Sequence, residues 1–194
     1  MAAVGSAAPI LNLLLVLFVG ISMGASIMVA QYFGAKQREE LSQTIGNCIT
    51  LTGIAVLIIM VLSLIVTRPL LEMLKTPVSI IDWCTDYLLI LFLGSVGSAY
   101  YNILCGVLRG LGDAFSALIY LLVATVLNIA LDILFVANFN MGVAGVAWAT
   151  IIAQAVSAVL CFIRLAKLSE VFDLKPRYLK LNKSYANKVI GLGL

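Results

Sequence analysis

The chain has 194 residues, 63% of them hydrophobic and 11% charged, with a mean hydropathy of +1.14. A water-soluble domain of this size carries roughly 25% charged residues, so lipid must solvate most of these side chains. The net charge of +3 is small and its carriers sit between apolar runs, which argues against a nucleic-acid-binding surface. The lack of histidine removes the commonest general base and metal ligand.

A hydrocarbon core of about 30 Å is crossed by roughly 20 apolar residues in a helix. Five stretches meet that length: Val4 to Ala30, Ile45 to Val66, Tyr87 to Leu108, Ala114 to Ala137 and Val143 to Leu165. The first is not a signal peptide, because Met1 to Ala8 carries no basic residue and the apolar run behind it is long enough to span. Within it, Gly20 and Gly24, and Ser22 and Ser26, have the four-residue spacing that lets transmembrane backbones approach; Gly106 and Gly110 repeat it. Asn12 and Gln31 are polar residues of uncertain facing.

A polar break, Phe33 to Glu40, separates the first and second stretches. Pro69 and Pro77 bracket the next connection, with a short interfacial helix expected through Leu70 to Leu74. The third stretch is locally amphipathic through Ser95, Ser98, Tyr100, Tyr101 and Asn102, of which Tyr101 and Asn102 are candidates to line a substrate path. Trp83 and Trp148 fall near boundaries, where interfacial tryptophan is ordinary. Arg109 to Asp113 and Asn138 to Gly142 are tight turns. The four cysteines, Cys48, Cys84, Cys105 and Cys161, lack CxxC spacing and read as small packing residues.

The tail from Ala166 to Lys188 is charged and reads as a solvent or membrane-surface segment. A further apolar stretch starts at Val189. The organisation expected is therefore a helix bundle over 1–166, a cytoplasmic linker over 167–188 and the start of another membrane helix at 189–194. Ten of the twelve basic residues fall on one side, with only Arg68 and Lys75 opposite, which places the ten in the cytoplasm. The chain then begins outside, an arrangement that points to a missing upstream helix. The sequon Asn182-Lys183-Ser184 lies on the cytoplasmic side, so glycosylation is not expected.

Asp132 is the one acidic residue deep inside an apolar run, whereas Asp86 lies nearer a loop. A mid-helix acid costs about 2.5–3.5 kcal/mol on insertion scales and normally faces a bundle interior or a water-filled cavity. It suits a proton or cation site, or a structural hydrogen-bond anchor. Asn128 and Thr125 share its helix face, while Thr150, Gln154 and Ser157 share a face of the next helix. Counting inward at 1.5 Å per residue sets Asp132 about 8 Å and Thr150 about 10 Å below the outer ends, with Thr125 and Gln154 both near 18 Å. One carboxylate with amides and hydroxyls forms a hard oxygen set, suited to Na⁺ at Asp132 or to a shared proton.

Several segments then resemble one transporter family. Gly20 to Ser26 with Val29 to Ala35 is similar to the second helix and following loop of multidrug-and-toxin-extrusion (MATE) transporters. Leu108-Arg109-Gly110-Leu111-Gly112-Asp113 resembles their LRGxGD turn, Leu127 to Asp132 their LNIxLD fifth helix, and Gly142 to Thr150 their GVxGAAxAT sixth helix. The resemblance implies helices two to six of a twelve-helix, two-bundle fold, with Met1 to Ser6 similar to the stretch after the first helix. It implies an antiporter in a bacterial plasma membrane that exports drugs or organic cations, driven by Na⁺ or H⁺. It implies that Asn128, Asp132 and Thr150 belong to the cation or proton network; Thr125 and Gln154, by their matched depth, are candidates to line a substrate path beside them. It implies no cofactor beyond the coupling ion, no enzymatic activity, and partnership with the missing helices or a second chain.

Three other readings stay open. A lipid-linked-oligosaccharide flippase would carry intramembrane basic residues, and none lies mid-span. A non-transporting assembly protein would bury the polar stripes against a partner. An embedded enzyme would need a catalytic pair, and no second deep carboxylate or Ser–Lys pair is evident.

Overall fold

The computed structural model describes residues 2–73, 77–139, 141–168, 170–173 and 175–193; the side chains of residues 2–15 and of Leu17, Leu70, Ser79, Ile80, Trp83, Val143, Pro176 and Ile190 lie outside the description. The described residues form helices α1 (Ala2–Gly34), α2 (Arg38–Met73), α3 (Val78–Gly110), α4 (Ala114–Asp132), α5 (Gly142–Lys167) and α6 (Lys183–Gly193). A π-helical segment, Ile133–Asn138, extends α4, and a 3₁₀ turn, Pro176–Leu179, precedes α6. Four helical segments are long and apolar enough to cross a membrane: Arg38–Met73, Cys84–Gly110, Ala114–Asn138 and Ala144–Lys167. The described apolar part of α1, Phe18–Gly34, is shorter, although its backbone helix runs for 33 residues. These bounds match the expected all-helical bundle of about five spans.

The helix ends follow from local chemistry. Lys36 takes the left-handed conformation, φ 56°, and the Gln37 N–H reaches back to the Tyr32 carbonyl at 3.0 Å. Gly112, φ 84°, does the same after α3, with the Asp113 N–H donating to the Leu108 carbonyl at 2.9 Å. Such reversals satisfy carbonyls that a helix end leaves free. Glu39 and Glu40 occupy the first turn of α2, and Arg164 and Lys167 the last turn of α5, each matching the helix dipole.

One expectation is corrected at Pro69. In place of a separate interfacial helix from Leu70, α2 continues through Pro69 to Met73. Proline removes one backbone donor and crowds the preceding turn. It is accommodated here in the helix's outer end, among exposed side chains such as Ile65 and Val66.

α3 is the central helix and packs against α1, α2, α5 and α4; α4 packs chiefly along α5. Gly106 and Gly110 meet the backbone of α1, where an added Cβ at Gly106 would lie 2.6 Å from the Ser22 carbonyl oxygen and one at Gly110 2.6 Å from that of Ser26. The small-residue spacing is thus the α1–α3 contact. Gly20 and Gly24 serve a second contact, against Gly193 and Val189 of α6. A core of Met28 and Val29, Leu41 and Ile45, Ile103 and Leu108, and Cys161 and Leu165 joins α1, α2, α3 and α5. All four cysteines are buried and unbridged, with the Cys105 and Cys161 Sγ atoms 3.5 Å apart across α3 and α5.

The outer surface is apolar. Leu118, Leu122, Val126 and Ile129 on α4, and Leu57, Ile58, Val61 and Leu64 on α2, are all exposed. In water such a surface would drive aggregation, whereas hydrocarbon solvates it. Trp148 is exposed, consistent with a boundary position; the Trp83 side chain lies outside the described residues. Asp86 is likewise exposed.

The tail is tied to the bundle by specific contacts. Its last helix starts at Lys183, not Val189, and docks on α1 and α2. The Asp173 N–H donates to Ser42 Oγ at 2.9 Å, Thr50 Oγ1 donates to the Leu179 carbonyl at 2.7 Å, and the Asn182 N–H donates to Asn47 Oδ1 at 2.6 Å. Arg38 pairs with Asp173, Arg177 with Glu39, and the Tyr185 hydroxyl donates to Glu40. Three polar side chains of α2 therefore serve as docking points for the linker. Asn47 and Thr50 fall inside the expected second stretch and Ser42 just before it.

Candidate functional site

The site is built where α4 runs antiparallel to α5. Asn128 Nδ2 donates to Thr150 Oγ1 at 3.3 Å, and Thr150 Oγ1 donates to its own helix at the Val146 carbonyl, 2.9 Å away. Two turns inward, Ser157 Oγ donates to the Tyr120 carbonyl at 3.2 Å. These two bridges set the register of the pair. Asp132 falls level with Val146 by that register, one turn outward of Thr150.

The expected equal depth of Asp132 and Thr150 is therefore corrected by about one turn. Counting from helix ends assumes an equal rise for every residue. The π segment breaks that assumption, with the Phe139 N–H bonded to the Leu134 carbonyl at 3.2 Å, five residues back. More residues per turn give less advance along the axis, which moves all of α4 outward by only part of a turn; the rest lies in the unequal counts of about 8 and 10 Å. The expected match of Thr125 with Gln154 holds to within a residue.

Asp132 is the last residue of α4, where the α-helical ladder gives way to the π ladder. Among the described residues its Oδ1 is buried without a hydrogen-bond partner, and so is Gln154 Oε1. Both are acceptors. An unpaired buried acceptor costs about 1–3 kcal/mol, and more when charged, so each calls for a donor or a cation. Asn128, Thr150 and Gln154 are half-buried, while Thr125 is exposed and donates to the Leu121 carbonyl at 2.9 Å. By the same register Gln154 lies about two turns inward of Asp132, so the outer group offers one carboxylate, one amide and one hydroxyl. Among the described residues no three His, Cys, Asp or Glu side chains gather as a metal site. A cation held here would rest on a mixed oxygen set and not on a carboxylate cage.

Tyr101 and Asn102 stand elsewhere. Tyr101 is buried in the core beside Cys105, and Asn102 Nδ2 donates to the Ser98 carbonyl on its own helix at 2.8 Å. The Asn102 carbonyl accepts from Ser22 Oγ at 2.6 Å, which ties α3 to α1. Among the described residues no hydrogen bond joins either to Asp132, Asn128 or Thr150. Ser95 and Tyr100 likewise satisfy their hydroxyls on backbone carbonyls, of Phe92 at 2.6 Å and Ile49 at 3.4 Å.

An ion pair that spacing alone does not reveal closes the opposite end of α4. Asp113 caps α4 by accepting from the Ser116 N–H at 3.3 Å and receives Arg164 Nε of α5 at 2.7 Å. Burial alone would push the Asp113 carboxyl up, but the hydrogen bonds from Ser116 and Arg164 outweigh it and hold it below the ordinary carboxylate range. The turn motif signalled Asp113, but nothing in sequence spacing signalled its partner 51 residues away.

Comparison with known proteins places this geometry. The MatE family profile matches residues 1–134. A Bacillus subtilis (strain 168) protein described as the probable multidrug resistance protein YoeA is 32% identical, across all of this chain and 43% of its own length. The multidrug export protein MepA of Staphylococcus aureus (strain NCTC 8325 / PS 47) is 25% identical over 89% of this chain and 38% of its own. A solved structure described as the inward-facing conformation of a multidrug resistance MATE family transporter of the MOP superfamily superposes with a TM-score of 0.93 at 25% identity, covering 99% of this chain and 44% of that one. The outward-facing conformation of such a transporter gives a TM-score of 0.90. The chain spans less than half the length of each of these relatives.

Proposed function

The chain belongs to the MatE family, and from that premise we propose that it supplies the ion-coupling helices of a cation-driven exporter of drugs or organic cations in a bacterial plasma membrane. It is a multi-pass membrane protein, and MATE transporters as a family are not enzymes. The observation that carries the reading is Asp132 Oδ1, a buried acceptor that has no hydrogen-bond partner among the described residues and lies one turn outward of the Asn128–Thr150 bridge. Hydrocarbon offers no water to satisfy such oxygens. A proton on Asp132, or a Na⁺ shared with the neighbouring oxygens, would do so.

The proposed cycle needs little machinery. Asp132 takes up the coupling ion from outside, near the outer end of α4, and its neutralisation makes that end of the α4–α5 pair easier to bury. Asn128 and Thr150, already bridged, orient the oxygens that meet the ion. Substrate would occupy the space between this bundle and its counterpart. The test is Asp132→Asn in a transporter whose first half carries this segment. Membrane insertion should be preserved and ion-driven efflux abolished; unchanged efflux would remove Asp132 from the coupling role. A Na⁺-dependent rise in thermal stability of the native protein, lost in Asp132→Asn, would favour Na⁺ over H⁺.

A further inference from the structure

At the cytoplasmic end of α2 a cavity of about 400 Å³ opens between Gln43 and Asn47, the 3₁₀ turn at Arg177, and the start of α6 at Asn182 and Lys183. Tertiary contacts build it. Asn47 is 2% exposed and holds the Asn182 N–H, while an added Cβ at Gly46 would strike the Tyr178 carbonyl, so the 3₁₀ turn lies directly on the helix backbone. Arg177, Lys180 and Lys183 put three cations on its wall. Arg177 is matched by Glu39, but among the described residues neither Lys180 nor Lys183 has a carboxylate within ion-pair distance. The wall therefore carries uncompensated positive charge beside amide donors.

Its place decides what that charge meets. α2, at 36 residues, is a rod of about 54 Å against a hydrocarbon core of about 30 Å, so its first turns stand in the headgroup layer. Leu179 and Leu181, flanking Lys180, are exposed and suit contact with acyl chains. Basic pockets between helices on the cytoplasmic side are suited to anionic headgroups. We propose that this cavity binds the phosphate of an anionic phospholipid, with Lys180 and Lys183 on its oxygens, so that a lipid pins the linker to α2. The proposal is independent of ion coupling at Asp132.

The test uses the full chain in neutral detergent micelles, titrated with short-chain phosphatidylglycerol or phosphatidylcholine and read by the lipid retained per protein in native mass spectrometry. Phosphatidylglycerol should be retained preferentially as one bound lipid, and each lysine should contribute roughly fivefold to that preference. K180Q with K183Q should then lose it, K180R should keep it, and K167Q, on α5 away from the cavity, should leave it unchanged. The two exposed lysines carry no packing, and unchanged helicity and melting temperature of the double variant confirm its fold. Equal retention of both lipids, or a preference that survives K180Q/K183Q, overturns the proposal. Displacement of phosphatidylglycerol by an equal concentration of inorganic phosphate would assign the cavity to a soluble phosphate and overturn the lipid assignment.

Discussion

Thr150 uses one hydroxyl twice, donating to the Val146 carbonyl and accepting from the Asn128 amide. Inter-helix hydrogen bonds in membranes average about 0.6 kcal/mol, so Thr150→Val should lower the stability of the α4–α5 pair by about 1 kcal/mol or less. Transport separates a ligand from a brace. If Thr150 supplies an oxygen to the ion, efflux in the complete transporter should fall in Thr150→Val and return in Thr150→Ser, although both keep the fold. Asp113 poses a different question at the same scale. Its carboxylate is stabilised in the folded state, so its contribution is present above the ordinary carboxylate pKa and is lost as pH falls through the lowered folded value. Asp113→Ala removes an N-cap and should cost about 1 kcal/mol near neutrality. Arg164 is partly exposed, and solvent screening keeps its added contribution small. The melting-temperature gap between native protein and Asp113→Ala in detergent should therefore narrow on acidification below about pH 4; a gap constant from pH 7 to 3 would show that the ionised carboxylate contributes nothing.

α3 holds the bundle together because it presents different glycines to different neighbours. Gly106 and Gly110 admit α1, while Gly94 and Gly97 admit Ile151 and Ala155 of α5. A side chain at Gly106 meets backbone, which cannot rotate away, so Gly106→Leu should separate α1 from α3 and destabilise the bundle by about 1–3 kcal/mol. Thermal unfolding in micelles checks this against Gly112→Ala in the turn, where the added methyl meets nothing and only the left-handed backbone opposes it. The Gly106 contact was legible in sequence because a four-residue spacing of small residues has few other uses inside a span. The spans were legible for a simpler reason, since apolar length is the property the bilayer selects. Two things were not. The π segment after Asp132 leaves no compositional mark, because Ile133 to Val136 would suit an α-helix equally well, and counting inward from the helix end passes over it. The linker's docking depends on Ser42, Asn47 and Thr50 meeting backbone more than a hundred residues away, a pairing that local pattern cannot contain.

For the molecule as a whole, the excess of basic residues at one end of the bundle favours one orientation. The basic end carries the docked linker, whose ion pairs with Arg38 and Glu39 and hydrogen bond to Glu40 lie at that end of α2. At the other end of α2, Arg68 is close to Glu72, at 3.6 Å, and to Asp82, at 3.7 Å. The outer face is thus nearly neutral and the inner face basic, the distribution that sets topology during insertion. That orientation would put Asp132 in the outer part of its span, within reach of ions entering from outside as proposed, and the Asp113–Arg164 clasp at the cytoplasmic end. The prediction is direct because all four native cysteines are buried and give a membrane-impermeant maleimide little to label. In intact cells the reagent should modify Arg68→Cys and spare Lys167→Cys, and opening the membrane should expose the second. Reversed labelling would place Asp132 on the cytoplasmic side, where an inward ion gradient could not load it first, and the order of ion and substrate binding in the proposed cycle would have to be inverted.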